Sequence, residues 1–227
     1  MASHPSVDFV PVEDEPLHVE RWRRPNIRLV HAQFPPHTSC LWHQHVRNSV
    51  YVVLAPLEAM EHAYDREPKP LVQPRGAVFC RDHSLDRLLH TAKTGDMPAS
   101  LVLIEMLKEK DEVMPHEDEP VMSATGVKLL HDAAECRVYR LTLSTVESGP
   151  SEDPELPSDD LVIKITSESV LVAVDACEIK ISSAEGGFTR NLDVGDDLVL
   201  AAGDHRIALV RAADQTTTVE LVLTEVF

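Results

Sequence analysis

The chain of 227 residues is long enough to bury a real core, either as one large domain or as two small ones. Hydrophobic residues make up 43% and charged residues 26%, an ordinary globular balance, while aromatics at 4% leave the core to Val, Leu, Ile and Ala. A formal net charge of -17 disfavours nucleic acid and anionic membrane as partners, because binding phosphate needs a cationic face.

The small basic cluster of Arg21, Arg23 and Arg24 reads as a solvated strand edge. No segment forms the long apolar run of a membrane span. The opening Met-Ala-Ser-His-Pro-Ser-Val-Asp has neither the positive nor the apolar region of a secretory signal. Cys40, Cys80, Cys136 and Cys177 are far apart and form no CxxC pair. That argues against a zinc ribbon or a thioredoxin-like motif and fits reduced thiols in a cytoplasmic protein.

In chain order, short runs rich in Val, Ile, Leu and Thr predict strands over Ile27–Gln33, Val50–Leu54, Ala77–Cys80 and Leu101–Met106. Further strands are predicted over Arg137–Leu143, Leu161–Thr166, Val170–Val174, Glu178–Ser182, Asp197–Leu200, Ile207–Val210 and Thr217–Leu223. Pro, Gly, Asp or Ser clusters separate many of them, and no amphipathic helix of more than a few turns is predicted. Closely spaced strands with turn signals point to an all-β sandwich or barrel. Between Lys108 and Glu135 a charged, proline-containing stretch without period reads as a linker. The expected division is residues 1–110, a linker at 111–134, and residues 135–227.

The two flanks of that linker repeat one order of elements. In the first, Pro25-Asn-Ile-Arg-Leu-Val-His-Ala-Gln-Phe leads to the Val50-Tyr-Val-Val-Leu strand, a strand opened by Gly76, His90, and the closing Leu101-Val-Leu-Ile-Glu. In the second, Cys136-Arg-Val-Tyr-Arg-Leu-Thr-Leu leads to Leu161-Val-Ile-Lys-Ile, then Asp193-Val-Gly-Asp-Asp-Leu-Val-Leu, His205, and Val219-Glu-Leu-Val-Leu. An internal repeat constrains the fold more than any single strand.

His43 and His45 form an HxH pair in Trp42-His-Gln-His-Val-Arg-Asn-Ser-Val-Tyr. Residues i and i+2 of a strand share a face, so both imidazoles can enter a barrel while Trp42 and Gln44 point away. Two neutral imidazoles on one face are half of a transition-metal site. His90 is the candidate third ligand, returned to the same cavity by a neighbouring antiparallel strand. The other reading of an isolated HxH is a pair of surface or hydrogen-bonded histidines.

The order of HxH, a Val/Tyr-rich strand, Gly, and a later His before a closing strand resembles the two-motif pattern of the cupin superfamily. Leu41-Trp-His-Gln-His-Val-Arg-Asn-Ser-Val-Tyr-Val-Val-Leu is similar to small conserved-barrel cupins. The resemblance covers most of residues 17–107 and, more weakly, 128–227. It implies two tandem cupin-type antiparallel β-barrels, a bicupin, with one divalent transition metal (Fe, Ni, Zn, Mn or Cu; Fe or Zn favoured). The family's first motif places a Glu shortly after HxH, where this chain has Asn48 and Ser49. That leaves a three-His set of His43, His45 and His90, resembling the thiol and diketone dioxygenases of the family. In the second half Ser151-Glu-Asp-Pro-Glu-Leu-Pro-Ser-Asp-Asp stands where an HxH should precede Leu161, and His205 reads as a vestige.

His116-Glu-Asp-Glu reads as a solvated linker face and Arg47 as a surface arginine, while Tyr51 lines the cavity or packs outside it according to strand phase. There is no P-loop, GxGxxG, GxSxG or HExxH. Two functions follow. One is a small-molecule enzyme with a three-His metal centre, dioxygenase-like. The other is a non-enzymatic small-ligand-binding or structural bicupin with an empty or vestigial site. The expected partner is a small-molecule ligand. Small barrels also leave sheet edges and faces that need covering, and a homodimer is one way to cover them.

Overall fold

The computed structural model describes residues 7–113, 116, 119–144, 160–214 and 217–227, and among these every element beyond two short 3-10 turns is a β-strand. Contacts divide the chain into two units, Met1–Lys110 and Asp111–Phe227, each made of two sheets. No helix among the described residues is long and apolar enough to cross a membrane, and no disulfide joins the four cysteines.

The first unit comprises β1 (Val10–Pro11), β2 (His18–Arg23), β3 (Ile27–Phe34), β4 (His43–His45), β5 (Asn48–Val53), β6 (Leu57–Ala63), β7 (Lys69–Gln73), β8 (Val78–Asp82), β9 (Leu88–Thr94) and β10 (Ala99–Met106). One sheet runs β1-β4-β9-β6-β7 and the other β2-β3-β10-β5-β8. Apart from the short parallel pair β1–β4, all pairings are antiparallel. A core of Val30, Ala32, Phe34, Tyr51, Val53, Leu101 and Leu103 from one sheet meets Leu57, Ala59, Leu71 and Ala92 from the other. The period-2 pleat decides what enters it. Along β6, Leu57, Glu61 and Ala63 are buried, while Glu58 and Met60 are exposed, so strand parity carries a carboxylate inward.

The second unit comprises β11 (Val127–Ala133), β12 (Cys136–Ser144), β13 (Leu161–Ile165), β14 (Ser169–Ala173), β15 (Cys177–Ser183), β16 (Gly186–Leu192), β17 (Asp197–Leu200), β18 (Gly203–Ala212) and β19 (Thr218–Val226). Its sheets run β11-β12-β19-β14-β17 and β13-β18-β15-β16, the same order as in the first unit without a partner for β1. Gly76 and Gly195 mark the repeat at the level of a single turn. Both have positive φ (76° and 86°), and each N–H donates across 2.8 Å, to Val53 O and Ala173 O respectively.

Register makes the correspondence residue by residue. Ser49 pairs with Glu105 and Ser169 with Glu225, so β14 is the counterpart of β5. His43 pairs with His90 and Ile163 with His205, so β13 is the counterpart of β4. This corrects the expectation from sequence. The counterpart of the HxH pair is Ile163 and Ile165 on β13 itself, and the acidic stretch 151–159, which lies outside the described residues, is not its equivalent. The linker also requires correction, because Val127–Ala133 within 111–134 is the edge strand β11, paired with β12. Its residues are half-buried or exposed with no clean alternation, which is why it carries no period in the sequence.

Candidate metal centre

β4 is buried at His43 and His45 and half-buried at Gln44, so the i, i+2 spacing sends both imidazoles into the first unit. β9 lies antiparallel beside it and sets His90 directly opposite His43. His43 Nε2 is 3.1 Å from His45 Nε2 and 3.1 Å from His90 Nε2. The structure therefore brings the three sequence candidates together.

Their tautomers follow from their partners. His43 Nδ1 donates to the carbonyl oxygen of Leu41 at 2.9 Å, and His90 Nδ1 donates to Glu61 Oε1 at 3.0 Å. Neither acceptor can donate, so in both neutral rings the proton sits on Nδ1 and Nε2 presents a lone pair. Burial, with His90 and His18 adding to it, takes the His43 pKa down to about 3. Burial also lowers His45 well below its ordinary value, and lowers His90 against the opposing pull of Glu61. His45 Nδ1 is buried with no hydrogen-bond partner among the described residues.

Glu61 is the carboxylate that the motif comparison missed. Burial raises its pKa, but hydrogen bonds from His90 and Arg81 outweigh this and hold it far below the carboxylate range. Arg81 Nη1 and Nη2 both donate to it, and the guanidinium lies 5.9 Å and 5.3 Å from the ring centroids of Tyr51 and Phe79, which stack at 4.7 Å. Asn48 and Ser49, in the motif's Glu position, are buried on β5, where Ser49 Oγ donates to Arg47 O at 3.4 Å.

A fourth imidazole was also missed. A nitrogen of His18, on β2, lies within 4.8 Å of nitrogens of His43 and His45, a three-His cluster able to coordinate a metal. Its Nδ1 donates to Glu15 at 2.7 Å, and the same carboxylate accepts from the amides of Leu17 and Leu41. Burial raises Glu15, but His18 and these amides bring it net below its usual range. A bulge between Glu20 and Trp22 breaks the alternation of β2, so nothing in the sequence marks His18 as inward.

The surrounding groups fall into place by parity and pairing. Tyr51 is buried and lines the cavity. Arg47 forms a surface ion pair with Glu109 at 2.6 Å. His116 is not on a solvated face. It is buried, stacked on Phe227 with centroids 3.7 Å apart, and donates to Asp132 at 3.3 Å. Glu117 and Asp118 of that run lie outside the described residues.

In the second unit the same positions are apolar. Ile163 and Ile165 replace His43 and His45, and Ile181, paired with Ile207 as Glu61 is with Ala92, replaces Glu61. Leu200 pairs with Ser169 as Arg81 does with Ser49. His205 alone is kept, and its Nε2 donates to Ala201 O at 2.8 Å.

No protein-family model matches the sequence, and no curated protein matches it. Solved structures do share its fold. A Cupin 2 conserved barrel domain protein from Leptotrichia buccalis is similar over 100% of this chain and 92% of its own, with a TM-score of 0.52 and 12% identity. AerE from Microcystis aeruginosa is similar over 94% and 98% respectively, at 0.53 and 11%. A salicylate 1,2-dioxygenase from Pseudaminobacter salicylatoxidans is similar over 95% and 77%, at 0.58 and 11%. At these identities the likeness establishes the fold alone, and the chain has the tandem cupin, or bicupin, fold.

Proposed function

We propose that the first barrel is a metal centre in which His43, His45 and His90 hold one divalent transition ion through Nε2, with His18 as a fourth imidazole, and that the site acts on a small molecule. One observation carries this reading. The lone pairs of His43 and His90 face each other at 3.1 Å with both Nδ1 protons already committed, an arrangement that repels unless a cation lies between them. Two nitrogens at about 2.1 Å from one ion are themselves about 3.0–3.4 Å apart for octahedral or tetrahedral angles, which matches the separation of these two atoms.

The outer partners support the same reading. Ligating histidines ordinarily donate their second N–H to a carboxylate or a backbone carbonyl, which fixes the ring and raises its basicity. Glu61, Glu15 and Leu41 O play that part for His90, His18 and His43. An all-imidazole set suits Zn, Fe, Cu or Ni better than Mn, which prefers oxygen ligands, and Fe or Zn is favoured. Once bound, the ion supplies a Lewis acid with open positions and, if redox-active, a centre for dioxygen chemistry. The protein orients the imidazoles, excludes bulk water with Phe34, Leu71, Phe79, Leu101 and Leu103, and keeps Arg81 at the cavity wall. Dioxygenation of a small organic molecule is the favoured reaction, by analogy with the salicylate dioxygenase of like fold.

Elemental analysis of untagged protein, followed by oxygen uptake with Fe(II) restored, tests this. About one equivalent of metal per chain is expected. Protein that stays metal-free after exposure to Fe(II) and Zn(II) would rule the centre out.

A further inference from the structure

β7 closes one edge of the first barrel and β16 stands at the same place in the second, but only β7 is guarded against pairing. We infer that β16 is an interface at which the chain pairs with a second copy of itself, edge to edge and antiparallel, through Gly186–Leu192.

An unpaired edge strand presents a row of N–H and C=O groups ready to extend a sheet, and proteins guard such edges with short strands, bulges, prolines and charges. Here β1 and β17 have two and four residues, β2 and β11 carry bulges, β8 ends on Arg81 and Asp82, and β13 carries Lys164. β7 holds Lys69 and Pro70. β16 has seven residues in unbroken register with β15, no proline, and Arg190 as its one charge. It is exposed from Gly186 to Asn191, and among the described residues no strand pairs with its outer side. The repeat identifies the missing guards. Glu61 pairs with Lys69, and its counterpart Ile181 pairs with Phe188; Met60 pairs with Pro70, and Lys180 with Thr189. Phe188 and Thr189 therefore stand where the first barrel has its lysine and its proline. A proline is accommodated in a sheet where its nitrogen faces out of the edge. The Thr189 N–H, at the matching position, faces outward, as do those of Gly187 and Asn191 on either side of it.

The strand is also complementary to itself. Full overlap of two antiparallel copies, with Gly186 opposite Leu192, sets Thr189 opposite Thr189 on a two-fold axis, where the outward N–H and C=O groups of each meet those of the other. The same register sets Phe188 opposite Arg190 of the second copy, twice by symmetry. Phe188 and Arg190 share the face of the sheet that carries Ile181 and Ile179. Phe188 is 50% exposed, so its ring is open to a guanidinium arriving across the strand pair. No like charges oppose each other within the strand. Glu185 and Asp193 flank it, but they lie beyond its ends, exposed and screened by solvent. A two-fold pairing of this kind occupies the edge in both copies and leaves none open to a third.

Sedimentation equilibrium of the full chain across the micromolar range tests the inference, and the first barrel supplies the variants. The unaltered chain should show a reversible monomer–dimer equilibrium. Phe188→Lys, which copies Lys69 and sets a lysine opposite Arg190 of the second copy, should raise the dissociation constant at least about tenfold. Thr189→Pro, which copies Pro70, should do the same by removing the hydrogen bonds at the axis. Phe188→Lys combined with Arg190→Glu should restore the dimer, because each lysine then faces a glutamate. Thermal midpoints confirm that the variants are folded, and if Thr189→Pro is not, the two Phe188 variants decide the question. A chain that stays monomeric throughout the range overturns the inference. So does a dimer that Phe188→Lys leaves intact, which would be made elsewhere on the surface, and so does failure of the double variant to recover dimerisation, which would exclude the register.

Discussion

His43 and His90 stand opposite each other on β4 and β9 with Nε2 atoms 3.1 Å apart, and each has its Nδ1 proton on an acceptor, Leu41 O for one and Glu61 for the other. The contact is made by the fold, through strand register, rather than by the mutual attraction of the rings. A site built in advance in this way should lose its ion when any one nitrogen is removed. His43→Ala, His45→Ala and His90→Ala are each expected to lose most of the bound metal in elemental analysis. His18→Ala should weaken binding but still reach one equivalent at saturating metal. His62→Ala should retain full metal, since His62 sits at the outward parity of β6, packed on Trp42 with centroids 5.0 Å apart. Full metal in His90→Ala would remove the centre as described.

Glu61 does not touch the Nε2 cluster, yet it fixes which nitrogen of His90 carries the proton. Glu61→Gln is expected to lower metal affinity by about 10–100-fold, the usual effect of losing such an outer partner. Competition against a chromogenic chelator measures this. Affinity equal to that of the unaltered chain would mean that backbone register alone orients His90.

Metal removal should cost stability in the first unit. An ion that binds only the folded state adds RT ln(1 + [M]/Kd), about 2.7 kcal/mol at a hundredfold excess over Kd. Chelation is therefore expected to lower the thermal midpoint of the unaltered chain by about 5–10 °C. His43→Ala should show no such shift, because it has little metal to lose. An equal shift in both proteins would attribute the effect to the chelator.

The architecture was legible in the sequence where burial is simple. β3, β5 and β10 are buried at nearly every position, so they appear as unbroken apolar runs. HxH was legible because the pleat puts i and i+2 on one face. β7 and β16 were not, because most of their residues are exposed or half-buried. Glu61 was hidden by the usual reading of a glutamate on a strand as outward, and its burial is offset chiefly by Arg81, 20 residues away, and His90, 29 residues away. The mismatched repeat had a signal that hydrophobicity obscured. Ser49-Val-Tyr-Val and Ser169-Val-Leu-Val align directly, and that alignment puts Ile163 and Ile165, rather than the acidic stretch before them, at the HxH positions.

That correspondence gives the sharpest test of what the fold alone supplies. Ile163→His with Ile165→His would place an HxH beside His205, on strands with the same pairing as β4 and β9. If three histidines at these positions sufficed, the variant would bind a second equivalent of zinc. The surroundings argue against it. Ile181 stands where Glu61 would hold the third imidazole, Leu200 stands where Arg81 would balance that carboxylate, and His205 already donates Nε2 to Ala201 O. Ile163, Ile165 and Ile181 instead belong to the apolar core of the second unit. Each new imidazole left without a partner there costs about 1–3 kcal/mol, besides the lost apolar contact. The expected outcome is a lower thermal midpoint, by roughly 5 °C or more, with metal content still one per chain. A second equivalent held as tightly as the first would show that carboxylate support is dispensable, and that Glu61 and Arg81 are not what sets the first barrel apart from the second.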